Sequence, residues 1–342
     1  MDTVDRRDFM KSVAGAAALV ATGDGAAAGE GPAAEAPRAA GQKEDGATAD
    51  RPVFLTTWKF GLAANQRAAE VLAASGNLLD AVEKGINVVE DDPAITSVGY
   101  GGLPNADGVV ELDAGIMDGT RHRAVAICNL HQIQNPISVA RMALERTRET
   151  TYAGEGAFLM ALQFGFHPRQ LLTPESLKQW QRWRANPERT TFWVNEANHD
   201  TIGMLACDGH GHLVSGCSTS GMAFKIPGRV ADSPLVGCGI YADDNAGAAT
   251  ATGDGDLMTN YCTSIVIVQL MARGASPQEA CEELLRWMVR TDAKNRASAS
   301  AVIAMDPQGR IGAACMNTSF HLQYAVWRNG RGEVRDGKTL FA

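Results

Sequence analysis

The stretch Asn198-His199-Asp200-Thr201-Ile202-Gly203-Met204 constrains this chain more than any other. An acid runs straight into Thr-Ile-Gly, and the apolar run Met204-Leu205-Ala206-Cys207 follows until Asp208-Gly209 signals a turn. Thr201 therefore opens a strand. While the chain is whole, such a threonine is an ordinary loop-to-strand residue. If the bond before it breaks, Thr201 carries a free α-amine beside its own hydroxyl, which makes an activated nucleophile. The amine's unperturbed pKa of about 7.7–8.0 suits a general base near neutral pH.

The chain has 342 residues, 45% hydrophobic and 20% charged, enough for one large globular domain or two ordinary ones. Its net charge of −8 argues against nucleic acid or an anionic membrane surface as a partner. The seven cysteines (Cys128, Cys207, Cys217, Cys238, Cys262, Cys281, Cys315) form no CxxC pair, and an odd number cannot all pair internally. They read as small core residues. Cys207, His210 and His212 have a metal-like spacing but straddle a turn without a fourth ligand, and Asp254 and Asp256 lack the full calcium-loop pattern.

Residues 1–28 read as a twin-arginine export signal. Arg6-Arg7 precede Phe9-Met10-Lys11, the apolar run Val13–Ala21 is too short to span a bilayer, and Ala26-Ala27-Ala28 suits cleavage. The expected location is the periplasm or the exterior, the alternative being a disordered cytosolic tail. Residues 29–50 carry almost no large apolar residue and read as a disordered linker. Residues 51–342 read as one folded domain.

Within that domain Val53-Phe54-Leu55 reads as a strand, Ala63 to Ala74 as a helix, and Leu78, Val82, Ile86 and Val89 as the apolar face of a second helix. Val98 to Pro104 is a glycine-rich loop. Strands are expected at Val109–Leu112 and Ala124–Asn129, on either side of Asp113–Asp118. A helix is expected from Pro136 to about Arg148 and a short one at Thr173-Pro174-Glu175. Gln181 to Thr191 is polar and reads as a long exposed segment leading to Thr201. A hairpin of Thr201–Cys207 and His212–Ser218 follows, then strands at Val236–Tyr241 and Gly247–Thr252, and a helix over Leu257–Arg273. Ser276-Pro277-Gln278-Glu279 is a capping box that opens another helix, and Val302–Met305 with Ile311–Cys315 make a final hairpin. Each half supplies strands and a helix pair. The economical architecture is two stacked sheets with helices outside, a four-layer α-β-β-α sandwich.

Three clusters after Thr201 carry chemistry. Cys217-Ser218-Thr219-Ser220-Gly221 is a hydroxyl run at a strand end. In Gly228-Arg229-Val230-Ala231-Asp232-Ser233-Pro234, Arg229 and Asp232 put a cation and an anion in one turn, able to clamp a zwitterion by its carboxylate and ammonium. Their bland reading is a surface ion pair. In Ala249 to Gly255, the Thr252 hydroxyl beside the Gly253 N–H suits an oxyanion hole.

Taken together, these clusters resemble glycosylasparaginase, an N-terminal-nucleophile hydrolase family. The resemblance runs from about Val53 to Cys315. It rests on Thr57-Trp58-Lys59-Phe60-Gly61-Leu62, Glu90-Asp91-Asp92-Pro93, Val98-Gly99-Tyr100-Gly101-Gly102, Asp113-Ala114, Ile116-Met117-Asp118, Asn135-Pro136-Ile137-Ser138-Val139-Ala140, and His199 to Met204. Ser218 to Gly221, Gly228 to Pro234 and Ala248 to Gly253 complete it. Each motif alone is weak; the set in order is specific. The resemblance implies the four-layer sandwich and self-cleavage between Asp200 and Thr201 through an N-to-O acyl shift. The resulting α chain (to 200) and β chain (201–342) stay associated, and αβ units pair into a dimer. It implies Thr201 as nucleophile with its freed amine as base, and Thr219 hydrogen-bonded to Thr201. Arg229 would hold the substrate's α-carboxylate and Asp232 its α-amine. Thr252 and the Gly253 N–H would form the oxyanion hole, Trp58 would line the pocket, and Asp200 would assist cleavage. The implied substrate is a small molecule, asparagine glycosylated on its side-chain amide, and no metal or organic cofactor is required. Two departures stand out: Ala231 where the family commonly has Gly, and the acidic Asp254-Gly255-Asp256 after Gly253.

Two rival readings use the same residues. A β-aspartyl peptidase or plain asparaginase of the same superfamily usually opens with His-Gly-Gly-Ala-Gly, whereas this chain has Thr57-Trp58-Lys59-Phe60-Gly61 and His199-Asp200. A non-catalytic binding protein on the same fold should have lost part of the apparatus, yet Thr201, Thr219, Arg229, Asp232, Thr252 and Gly253 are all present.

Overall fold

Strand β1 (Val53–Thr57) is buried at every position, because it runs inside the larger of two sheets with cores on both faces. The computed structural model describes residues 52–186 and 201–342. The leader expected at 1–28, the linker at 29–50, Asp200 and most of the polar segment before it lie outside the described residues. β1 pairs antiparallel with β11 (Gln323–Arg328) on one side and β5 (Ile202–Cys207) on the other. Beyond β5 come β6 (Leu213–Thr219), β2 (Leu112–Asp118), β3 (Arg123–Leu130) and β4 (Thr151–Ala153), and β12 (Arg331–Asp336) forms the opposite edge. The hairpin expected after Thr201 is β5–β6, with Ile202 opposite Ser218 and Cys207 opposite Leu213. The second sheet has the order β13 (Lys338–Phe341), β10 (Ile311–Asn317), β9 (Ser300–Met305), β8 (Gly247–Gly253), β7 (Ile240–Asp243).

Alternation along the strands sorts side chains between cores. Phe54, Ile202, Met204 and Ile116 point to helices α1 (Gly61–Ser75), α2 (Leu78–Glu90), α3 (Pro136–Arg146) and α4 (Gly154–Gln163). Their neighbours Val53, Leu55, Leu205 and Met117 join Ile240, Ala248, Ile303 and Cys315 of the second sheet in a core between the sheets. The far side of the second sheet, with Ala249, Ala251, Val302 and Ala314, packs on Ile267, Leu284 and Leu285 of two further helices. Gly203 sits where the sheets come closest: a Cβ there would lie 2.4 Å from Thr250 Oγ1. The small residue after Thr201-Ile202 is thus a packing requirement.

Helix starts follow their caps. Asn77 accepts from the N–H groups of Leu79 and Asp80 to open α2, and Thr173 accepts from Ser176 N–H to open α5 (Pro174–Ala185). The Ser276–Glu279 capping box opens the helix Pro277–Thr291 as expected. α5 takes in the start of the segment read as exposed and irregular.

Some expectations are corrected. The strand expected at 109–112 lies further on, at Leu112–Asp118. Its acids are accommodated: Asp113 accepts from Asn129 N–H at 2.6 Å, and Asp118 from Thr120 N–H at 3.0 Å. The helix expected over 257–273 is two, α6 (Gly255–Tyr261) and α7 (Thr263–Ala272), broken at Cys262 with φ of 46°. The cause is local: Thr263 and Ser264 hydroxyls both donate to the Cys238 carbonyl, at 2.9 and 2.6 Å, and so dock the start of α7 on a loop. The helix Pro277–Thr291 is then α8. The hairpin β9–β10 is not the last, since β11, β12 and β13 follow. Six of the cysteines are buried and Cys262 is exposed; all seven are free thiols. Among the described residues no helix is long and apolar enough to cross a membrane.

Candidate active site

Thr201 enters β5 almost fully buried, 5% exposed. Its N–H donates to Thr252 Oγ1 at 3.3 Å and its carbonyl accepts from Thr57 Oγ1 at 2.6 Å. Its own hydroxyl lies 3.4 Å from Ser233 Oγ. Thr57, the last residue of β1, also accepts from Gly203 N–H at 2.8 Å, so one hydroxyl grips the backbone on both sides of Ile202. The next residue, Trp58, takes a left-handed turn (φ 61°), and its indole N–H donates to Thr252 Oγ1 at 3.2 Å. The Trp58 ring meets Phe320 edge-on, centroids 5.3 Å apart.

Thr219 ends β6. Its hydroxyl accepts from Gly221 N–H at 2.9 Å and donates to the Ser97 carbonyl at 3.4 Å, instead of bonding Thr201. Beside it, Ser218 donates to Glu90 Oε1 at 2.7 Å. Glu90 is fully buried; desolvation pushes its carboxyl up to about 7, against hydrogen bonds from Ser218, Ile137, Asn135 and Asn87 that pull it down. Thr252 and Gly253 end β8. Gly253 has φ of 117°, and a Cβ there would fall 1.8 Å from the Ala299 carbonyl, so the position admits only glycine.

Arg229 and Asp232 do not pair with each other. Arg229 Nη2 donates to Asp256 Oδ2 at 2.8 Å, while its Nε is buried without a partner. Asp232 is 3% exposed and its Oδ2 has no hydrogen-bond partner. Burial pushes its carboxyl up to about 7, although the Arg229 cation pulls the other way.

Thr201, Thr219, Arg229, Asp232, Ser233 and Gly253 line one narrow cleft, together with Asp113. Trp58 and Thr252 stand behind it, reaching it through the Thr201 N–H. Asp200 lies outside the described residues. A larger cleft, lined by Val109, His131 and Arg169 among others, holds none of these groups. Thr57, Ser233 and Glu90 stand in motifs that carry the resemblance, but the sequence assigned none of them a role.

The mixed α/β fold is that of a hydrolase acting on amide bonds, as the comparisons with known proteins show. The family described as Asparaginase (Asparaginase_2) matches residues 40–332, and the chain belongs to it. The chain is 43% identical over 291 residues to N(4)-(Beta-N-acetylglucosaminyl)-L-asparaginase of Elizabethkingia miricola, covering 84% of this chain and 85% of that relative. It is 36% identical over 303 residues to the protein of that name from Rattus norvegicus, covering 80% and 87%. Over 304 residues it is 36% identical to the protein from Mus musculus, again covering 80% and 87%.

Proposed function

We propose that this chain cleaves itself between Asp200 and Thr201 and then hydrolyses the side-chain amide of asparagine bearing N-acetylglucosamine. The products are aspartate and the amino-sugar. The observation that carries this reading is the placement of Thr201. Thr201 lines a cleft together with a cation, Arg229, and a buried acid, Asp232, whose Oδ2 has no hydrogen-bond partner. In the precursor, Thr201 Oγ attacks the Asp200 carbonyl and the C–N bond breaks, so the peptide becomes an ester and the α-amine is freed; water then opens the ester, releasing the Asp200 carboxylate and the Thr201 hydroxyl. In the mature site that amine takes the hydroxyl proton as Oγ attacks the substrate carbonyl. Thr252 Oγ and the Gly253 N–H accommodate the oxyanion, the leaving amine departs with a proton, and water releases aspartate.

The clamp sets the substrate. Asp232 Oδ2 lacks a donor, and an α-ammonium supplies one. Arg229 now rests on Asp256, a side chain 59% exposed, and a carboxylate in the cleft gains both the cation and its unpartnered Nε. A peptide-embedded asparagine offers neither charge. The two sheets and three cores support the four-layer α-β-β-α sandwich of N-terminal-nucleophile hydrolases. On the same reading αβ units pair into a dimer, and Arg6-Arg7 direct export with a mature N-terminus between about Ala28 and Arg51. The test is one preparation of purified protein. A denaturing gel should show two bands, and kcat/KM should favour free glycosylated asparagine over β-aspartyl dipeptides. One uncut band after long incubation, or the reverse preference, overturns the reading.

A further inference from the structure

Lys225 is buried, with its side chain 1% exposed, and no step above uses it. Its Nζ lies 3.4 Å from Asp113 Oδ2 and 3.8 Å from Glu111 Oε2. An ammonium removed from water needs such partners, and here both have second tasks. Asp113 lines the cleft. Glu111 accepts the Gly228 N–H with both oxygens, at 3.1 and 3.2 Å, and Asn105 Nδ2 at 2.8 Å. Gly228 is the residue before Arg229. The backbone between is tied as well: Arg229 N–H donates to the Ile226 carbonyl at 3.0 Å, and Ala106 N–H to the Lys225 carbonyl at 2.9 Å. Residues 225–229 are therefore one turn, held at its start through the ammonium and at its end through Gly228 N–H, with Glu111 common to both.

The ammonium also approaches the cleft itself. A Cβ built on Gly221, a residue of the cleft wall, would lie 2.9 Å from Lys225 Nζ and 3.6 Å from Arg229 Nη1. Two cations thus flank one glycine, one able to reach the cleft and one fixed behind it.

We propose that Lys225 is a positioning and specificity residue for the substrate's α-carboxylate. The Glu111–Lys225–Asp113 cluster fixes the turn that presents Arg229. The proposal rests on Arg229 as the carboxylate site. A purely structural role for the cluster makes a different forecast, because it treats all substrates alike.

The experiment compares wild type, Lys225→Met and Lys225→Arg on free glycosylated asparagine and on its α-carboxamide. Lys225→Met should still self-cleave before Thr201. Its KM for the carboxylate substrate should rise about tenfold or more, while its kcat and its KM for the carboxamide move by less than about threefold. Lys225→Arg should recover most of the loss. Equal losses on both substrates, or an unchanged KM for the carboxylate, overturn the proposal. If Lys225→Met fails to fold, Glu111→Gln decides: it loosens the hold on Lys225 and Gly228, and should show the same selective rise. An unaltered carboxylate preference in that variant overturns the proposal too. Wild type that neither self-cleaves nor releases aspartate refutes the earlier reading instead.

Discussion

Asp232 is a buried acid with one oxygen, Oδ2, left without a hydrogen bond, and its titration carries a sign that can be measured. Burial raises its folded pKa to about 7 from the ordinary 3.8. Between those values the folded chain holds a proton that the unfolded chain has lost, so this group makes the empty protein less stable as pH rises from 3.8 to about 7. Asp232→Asn lacks that loss. Its melting temperature relative to wild type should rise from pH 4 to pH 8, by an amount equivalent to roughly 1–4 kcal/mol; a constant difference would show that Asp232 is already ionised in the fold. Thr201→Ala tests the other end of the cleft. The N–H and carbonyl of Thr201 are backbone groups and keep their bonds to Thr252 and Thr57, so the variant should fold and remain one chain on a denaturing gel. Thr201, Arg229, Asp232 and Thr252 were candidates in the sequence through the ordered set of motifs that resembles glycosylasparaginase; alone, Arg229 and Asp232 read as a surface ion pair. Lys225 and Ser233 were not, because their partners Asp113 and Thr201 lie far away in sequence.

Strand ends carry the site, so an element's last residue matters more than its interior. β8 delivers Thr252 and Gly253, and Asp254 N–H closes on the Ala299 carbonyl at 2.6 Å. A Cβ at 253 would collide with that same carbonyl. Gly253→Ala should therefore shift the end of β8, moving Thr252 away from Thr201 N–H. Aspartate release should fall about 100-fold or more, the usual scale for losing an oxyanion donor, while far-ultraviolet circular dichroism stays native. Activity within about threefold of wild type would mean the carbonyl moves aside at no cost. Strands with apolar alternation, such as β1, β5 and β9, were readable from sequence. β2 was not, because Asp113 and Asp118 break its pattern: Asp113 is met by Asn129 and Lys225, remote in sequence, and Asp118 by Thr120 and Arg121 of the turn that follows. Nor was the break at Cys262, which arises from hydroxyls docking on Cys238 rather than from a helix-breaking residue.

At the scale of the molecule, strand order in space departs from order in sequence. Two sheets could be read from the halves of the chain; their interleaving could not. In the larger sheet β1 to β4 precede the Asp200–Thr201 bond and β5, β6, β11 and β12 follow it. β1 lies between β11 and β5, with five residue pairs to the first and four to the second. β2 lies against β6 through six pairs, from Asp113–Thr219 to Asp118–Val214. Cutting before Thr201 therefore leaves β1 paired only with strands of the other piece and β2 joined to that piece through β6, and the core between the sheets takes side chains from both. Separating the pieces would open three rows of buried backbone hydrogen bonds at once, with no water to replace them until the sheet is apart. The cleaved protein should elute as one species in native buffer and unfold in one cooperative transition with both pieces lost together. Two native peaks, or one piece melting before the other, would show that the strands do not hold the molecule as their register requires.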